Sequence, residues 1–238
     1  MHPYSTSNNL DPSEIHKFNT QAQQWWDKNG SMKTLHAINP LRYKFILQHT
    51  DLIKKHVLDI GCGGGILTES LAKGGAITTG IDLAKDSIAT AEQHALEERL
   101  PITYECIAVE DFAKTHFQNF DIITCMELLE HVPDPGSVIK TCSELLKPGG
   151  HVFFSTMNRN VKSFLFGIIG AEYLLQLLPK GTHSYAKFIK PSELDGWARQ
   201  FNLSCQHIIG IHYHPLTQQF MLKPDVSVNY LVHYTKVT

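Results

Sequence analysis

The chain has no surplus of either charge: 21 lysines and arginines stand against 23 aspartates and glutamates, a formal net charge of −2 over 238 residues. Proteins that grip a phosphate backbone carry a clear cationic excess, so nucleic acid is not an expected partner. Cysteine is scarce. Cys62, Cys106, Cys125, Cys142 and Cys205 are odd in number, scattered and never spaced C-x-x-C, which argues against a disulfide framework or a thiolate zinc site and fits a reducing, cytoplasmic setting. Residues 1–9 contain neither a cationic nor an apolar stretch, and no arginine precedes Arg42, so no secretory signal or transit peptide is expected. Repeats and low-complexity tracts are absent, and 42% hydrophobic with 18% charged residues excludes disorder and a membrane bundle for the whole. Histidine alone is plentiful, at 14, but the residues are dispersed, and a lone histidine is usually a hydrogen-bonded structural one.

What is present is an alternation of short apolar runs with helical stretches. Asp11-Pro12-Ser13-Glu14 predicts a helix start, with aspartate as cap, proline in the first turn and Glu14 closing a capping box. Ile15, Phe18, Ala22 and Trp25 follow at helical spacing, and a second helix is expected after Asn39-Pro40. Strands are predicted at 56–60, 76–81, 102–107, 121–125 and 151–156, with two more near 203–212 and 228–235. Helices fall between them: 66–73 with a glycine stop at Gly74-Gly75, one capped by Asp86, and one opened by Asp134-Pro135. The expectation is an α/β doubly wound, mostly parallel, seven-stranded sheet with N-terminal helices, a helical insert after the fifth strand, and a ligand site at the carboxyl ends of the strands.

The most informative stretch is Val57-Leu58-Asp59-Ile60-Gly61-Cys62-Gly63-Gly64-Gly65, an apolar strand that ends in a carboxylate and a glycine-rich turn before a helix. Bare backbone there lets a ligand approach closely. A dinucleotide fingerprint needs a small residue where this chain has Ile66, which argues against NAD. Asp82 ends the next strand, 23 residues after Asp59, where a carboxylate can accept from both hydroxyls of a ribose. A strand acid followed by G-x-G-x-G resembles motif I of the class I S-adenosylmethionine-dependent methyltransferases, a Rossmann-like fold. In that superfamily the pair Glu110-Asp111, after the third strand, stands near where adenine is met, and Asp111 is the one taken as a cofactor residue.

Cys125-Met126-Glu127-Leu128-Leu129-Glu130-His131-Val132-Pro133-Asp134-Pro135 narrows the resemblance to the ubiquinone-biosynthesis O-methyltransferases, as do Trp25-Trp26-Asp27, residues 35–42, 153–160, 179–183 and 187–191. The resemblance runs nearly the full length. It implies O-methylation of catechol-like hydroxyls on polyprenylated hydroxyphenol and demethylubiquinol substrates, at two steps of one pathway. By position, Arg42, Asp59, Gly61, Gly63, Asp82, Asp111 and Met126 would bind S-adenosylmethionine, with the Arg42 fork suited to its carboxylate. The family's attributed ligands for a divalent cation such as magnesium fall on Glu127, Glu130 and His131. These stand at i, i+3 and i+4, which in a helix shares one face, although Pro133 disfavours helix at Val132. The other reading makes His131 a general base without metal. His36 is a further base candidate, with a structural role as the favoured alternative.

The chain reads as one domain, 1–238: a helical lid at 1–50, a cofactor-binding part at 51–157, an apolar insert at 158–191 and C-terminal strands at 192–238. Residues 161–178 are strongly apolar but broken by Glu172 and Gln176, too interrupted to span a bilayer. Arg159, Lys162, Lys180, Lys187 and Lys190 flank them. That pattern suits an interfacial segment touching anionic lipid at the inner face of the membrane, and equally a lid over the site. Membership of a ubiquinone-biosynthesis complex is the remaining partner expectation.

Overall fold

In the computed structural model, residues 9–160, 163 and 185–237 are described. Eight strands form one sheet: β1 (His56–Ile60), β2 (Ile77–Asp82), β3 (Thr103–Cys106), β4 (Phe120–Met126), β5 (Leu146–Met157), β6 (Leu203–His214), β7 (Gln219–Lys223) and β8 (Asn229–Lys236). Their order is β3-β2-β1-β4-β5-β8-β6-β7. The pairs among β1 to β5 are parallel, and β8 lies antiparallel between β5 and β6. The strand order reverses between β1 and β4, and there a crevice opens at the carboxyl ends.

The central strands are buried on both faces, so their side chains read as nearly continuous apolar runs. Val57 pairs with Ile122 and points to one core, which also holds Phe45, Ile46, Leu67, Leu71 and Phe153. Leu58 pairs with Ile123 and points to the other, with Val138, Cys142, Leu145, Phe154 and Leu194. Seven helices cover the two faces among the described residues: α1 (Pro12–Thr20), α2 (Lys33–Leu47), α3 (Ile66–Lys73), α4 (Lys85–Glu97), α5 (Val109–Phe112), α6 (Pro135–Leu145) and α7 (Pro191–Gln200).

Three expectations are corrected. The sheet has eight strands rather than seven, because β7 folds back on β6 as a hairpin whose Phe220 and Leu222 pack beside the α2 core. The second helix starts at Lys33 and runs through Pro40 instead of starting after it. Burial of Ile38, Phe45 and Ile46 along one helix face outweighs the backbone bond that proline cannot make. Helix α4 starts at Lys85 with Ala84 as its cap residue, and the carboxylate that holds the entry is Asp82, not Asp86. Asp134 does cap α6, accepting from Ser137 N at 3.1 Å. Residues 161–178 lie outside the described residues apart from Ser163, so the apolar insert is not part of this description. No helix among the described residues is long and apolar enough to cross a membrane.

Candidate active site

The crevice between β1 and β4 holds a cavity of about 280 Å³. Its floor is the glycine turn. Gly61, Gly63 and Gly65 take φ values of +70°, +53° and +86°, a region that costs a side-chain-bearing residue about 1 kcal/mol or more. At Gly63 and Gly64 a Cβ would stand 2.4 and 2.3 Å from atoms of Trp25, so only glycine lets that indole close over the turn. Trp25 is anchored by Nε1 donating to Ser87 Oγ at 3.1 Å, and Trp26 Nε1 donates to the Gly64 carbonyl at 3.0 Å.

Asp59 ties the turn to its neighbours. It is buried and accepts from Thr68 Oγ1 at 2.6 Å and Thr124 Oγ1 at 2.7 Å, which joins β1 to α3 and β4. Burial outweighs those bonds and pushes its carboxyl up to about 6. Asp82 accepts from Gly63 N at 2.9 Å and Ala84 N at 2.8 Å, while burial raises its pKa. Arg42 is buried on the opposite wall, where its Nη2 donates to Glu127 Oε1 at 3.0 Å. Its Nε is buried without a hydrogen-bond partner, a donor that an incoming carboxylate would satisfy.

The structure thus gathers Arg42, Asp59, Gly61, Gly63, Asp82 and Met126 around one cavity. Bare glycine backbone, an unsatisfied guanidinium donor and a strand-end carboxylate fit the adenosyl, methionyl and ribose parts of S-adenosylmethionine. Asp111 is a correction. Its side chain is exposed and pairs with Lys114 Nζ at 2.6 Å, away from the cavity, because the short α5 turns it outward. The neighbouring Glu110 lines the cavity instead, accepting from Asn9 Nδ2 and Ser137 Oγ, each at 3.0 Å. His36 bonds the Trp25 carbonyl at 2.8 Å and is not among the cavity residues, in keeping with a structural role.

Glu127, Glu130 and His131 do not share a face. Glu127 takes φ +52° as the chain leaves β4, and only a short 3-10 turn, Leu129–His131, follows before Val132 becomes extended ahead of Pro133. Without an α-helical turn His131 is directed away to Glu14, while the Glu127 and Glu130 carboxyls stay within hydrogen-bonding reach of each other. Glu127 Oε1 receives Arg42 and Ser155 Oγ, the latter at 2.8 Å. Glu130 is buried beneath the cavity, where Thr156 Oγ1 donates to Oε2 at 2.8 Å, and burial first, then the charge of Glu127, raises its pKa well above the usual carboxylate range. His131 lines the cavity, and its Nδ1 lies 3.0 Å from Glu14 Oε2. Among the described residues no group of three or more His, Cys, Asp or Glu side chains could hold a metal ion, so the expected magnesium has no support from them.

Glu14 and Phe18 are site residues that the sequence reading did not single out. The predicted capping box is half formed: Asp11 Oδ1 accepts from Ser13 N at 3.0 Å, but Glu14 turns away to His131 and Lys187. The cationic flanks of the insert are also partly neutralised, since Arg159 pairs with Glu193 and Lys187 with Asp11 and Glu14.

A family profile described as a methyltransferase domain matches residues 44–208. The chain is 54% identical over 228 residues to the ubiquinone biosynthesis O-methyltransferase of Nitrosococcus oceani, covering 96% of this chain and 97% of that one. It is 56% identical over 227 residues to the protein of the same name from Coxiella burnetii, covering 95% and 97%. Among solved structures, the magnesium protoporphyrin IX methyltransferase of Synechocystis with bound SAH superposes with a TM-score of 0.69 at 16% identity, over 94% of this chain and 98% of that one. At that identity the likeness concerns the fold.

Proposed function

The chain belongs to the ubiquinone-biosynthesis O-methyltransferase family, and on that premise we propose that it methylates catechol-type hydroxyls of polyprenylated hydroxyphenol and demethylubiquinol substrates, at both O-methylation steps. The observation that carries this reading is that one cavity is lined both by the motif residues Asp59, Gly61, Gly63 and Asp82 with Arg42, and by His131. S-adenosylmethionine supplies the activated methyl on its sulfonium. Arg42 takes the methionyl carboxylate through its unpaired Nε, Asp82 receives the ribose hydroxyls, and Met126 gives the adenosyl group an apolar wall. Asp59 acts through the turn it holds in place.

The chain's remaining task is to ready the oxygen. A phenol with pKa near 10 is almost wholly protonated at neutral pH, so a proton acceptor is needed. His131 is that acceptor in this reading, and Glu127 and Glu130 support the wall behind it through Arg42, Ser155 and Thr156. Holding acceptor and donor in line can supply about 7 to 11 kcal/mol in the best intramolecular cases. Purified protein given reduced short-chain demethylubiquinol and S-adenosylmethionine is expected to form methylated product at the same rate with and without chelator. Donor binding with no product would sink the enzymatic reading; a rate lost in chelator and restored by magnesium would overturn the metal-free one.

The whole chain is read as one catalytic unit, with residues 158–191 as its cover and its route to lipid. A polyprenyl tail resides in a bilayer, and the apolar run with Lys162, Lys180 and Lys190 nearby suits shallow contact with anionic lipid at the inner membrane face. Association with other enzymes of ubiquinone biosynthesis would fit the same location. Sedimentation with anionic vesicles at low salt is expected, and failure to sediment would count against the lipid proposal alone.

A further inference from the structure

Helix α1 contributes a carboxylate to the reacting end of the cavity. This inference rests on the proposed role of His131 as proton acceptor and concerns what makes that imidazole competent. Glu14 stands at the position where a capping-box glutamate returns to its own helix start, yet its carboxylate reaches across 117 residues of sequence to His131. We infer that Glu14 is the positioning residue of His131, so that the proton acceptor is complete only when α1 lies over the cavity.

Three observations support it. A carboxylate can only accept, so the 3.0 Å contact to Nδ1 places the ring proton on Nδ1 and leaves Nε2 as the basic nitrogen of the neutral imidazole. The same helix grips the ring a second time, with Phe18 edge-on at 5.3 Å between centroids and 87° between planes. The bond to His131 is also the chief cause that lowers the Glu14 pKa to about 2, in keeping with an accepting carboxylate. Helix α1 itself has no fully buried residue. It is held by polar contacts, Asn9 on Glu110 and Asp134, Asn19 on the Asp86 backbone and Lys187 on Asp11, and by Phe18 against the Trp25 cluster.

In the step this serves, the substrate O–H breaks and its proton passes to His131 Nε2. The oxygen lone pair forms the new C–O bond as the S–CH3 bond breaks, with that electron pair returning to sulfur. The imidazolium that results faces the Glu14 carboxylate, which stabilises the charge as it develops.

Glu14→Gln is the direct test, alongside His131→Asn and the double variant. Glu14→Gln should lower kcat by about 10- to 100-fold with KM for S-adenosylmethionine unchanged within about twofold. The double variant should be no slower than His131→Asn alone, because Glu14 acts through the ring. A normal kcat in Glu14→Gln with a slow His131→Asn would overturn the positioning role and leave the proton acceptor standing. Normal rates in both would remove the acceptor reading itself. Additive losses in the double variant, or a change confined to the donor KM, would make Glu14 a lid contact only and overturn the inference. Should Glu14→Gln misfold, 15N-histidine spectra of the unaltered protein decide: a His131 ring protonated on Nδ1 is expected, and one protonated on Nε2 would refute it.

Discussion

His131 and the stack formed by His49, His151, His207 and His233 put one kind of side chain into two opposite settings. His131 lies at the open end of the sheet against a carboxylate and the cavity. The stack lies where α2 ends over β5, β8 and β6. There His151 Nδ1 meets His233 Nε2 at 2.9 Å, His49 sits 4.9 Å from His233 and 5.1 Å from His207 between ring centroids, and His233 lies flat on Phe153 at 4.6 Å. Burial first, then the neighbouring imidazoles, lowers the pKa of His233 to about 3, and burial with Lys55 nearby lowers that of His151. With no carboxylate among these contacts, His151 and His233 favour the neutral form and work as flat packing groups. An imidazole gains a role in proton transfer from what stands at its other nitrogen, so histidine count alone says little about function.

The comparison breaks most visibly at the cavity. Arg42→Met removes the buried cation proposed to take the donor carboxylate, and S-adenosylmethionine binding measured by calorimetry should weaken about 100-fold. Its acid limb should keep the slope that His233 contributes, since no imidazole of the stack has changed; a flattening as large as that of a stack variant would erase the distinction. Next comes His233→Phe. The folded pKa is below the unfolded value of 6.5, so the native state binds fewer protons, and stability is complete above 6.5 and lost as pH falls towards 3. The variant should flatten that limb by on the order of a few kcal/mol in chemical denaturation at pH 4, with kcat at pH 7.5 within about twofold of the parent. An unchanged acid limb would show that the stack does not titrate on unfolding.

The smallest effect sharpens the contrast from the acid side of the chemistry. Asp59 has a folded pKa of about 6, above its ordinary 3.8, so the native state holds this proton more tightly than the unfolded chain. Its contribution therefore weakens as pH rises from about 4 through 6, the reverse of His233. Asp59→Asn should gain about 1 kcal/mol relative to the parent at pH 8 and nothing at pH 4, measured by urea unfolding. A loss at pH 8 would mean that the Thr68 and Thr124 hydroxyls need the charge.

Much of the site was legible because it is local. Asp59 and the glycines that follow it are consecutive, and Asp82 is one strand and one crossover away, so spacing alone carried them to the same end of the sheet. Asp134-Pro135 opened α6 as expected because a cap and the N–H that donates to it are three residues apart. The reading failed where a side chain had two places to go. Glu14 and its own helix start were a local pair, and His131 won. Asp111 and Glu110 were adjacent acids, and the turn direction of α5 chose Glu110. Glu127, Glu130 and His131 carried helical spacing, but Pro133 kept the turn too short for an α-helix to form, and His131 left the two carboxyls for Glu14. Strand β7 was missed because Gln219–Lys223 alternates over only five residues and draws its stability from β6 and α2.

The sequence by itself determined the order of strands and helices, the two buried faces, the bare glycine turn and the acids that border it. Each follows from periodicity or from residues a few positions apart. Tertiary structure alone decided that Arg42 meets Glu127, that Trp25 seals the glycines, that Glu14 holds His131 and that four imidazoles gather at His233. Periodicity encodes which face of an element is buried. It carries no information on which distant side chain waits there, and the charge state of a buried group depends on that neighbour.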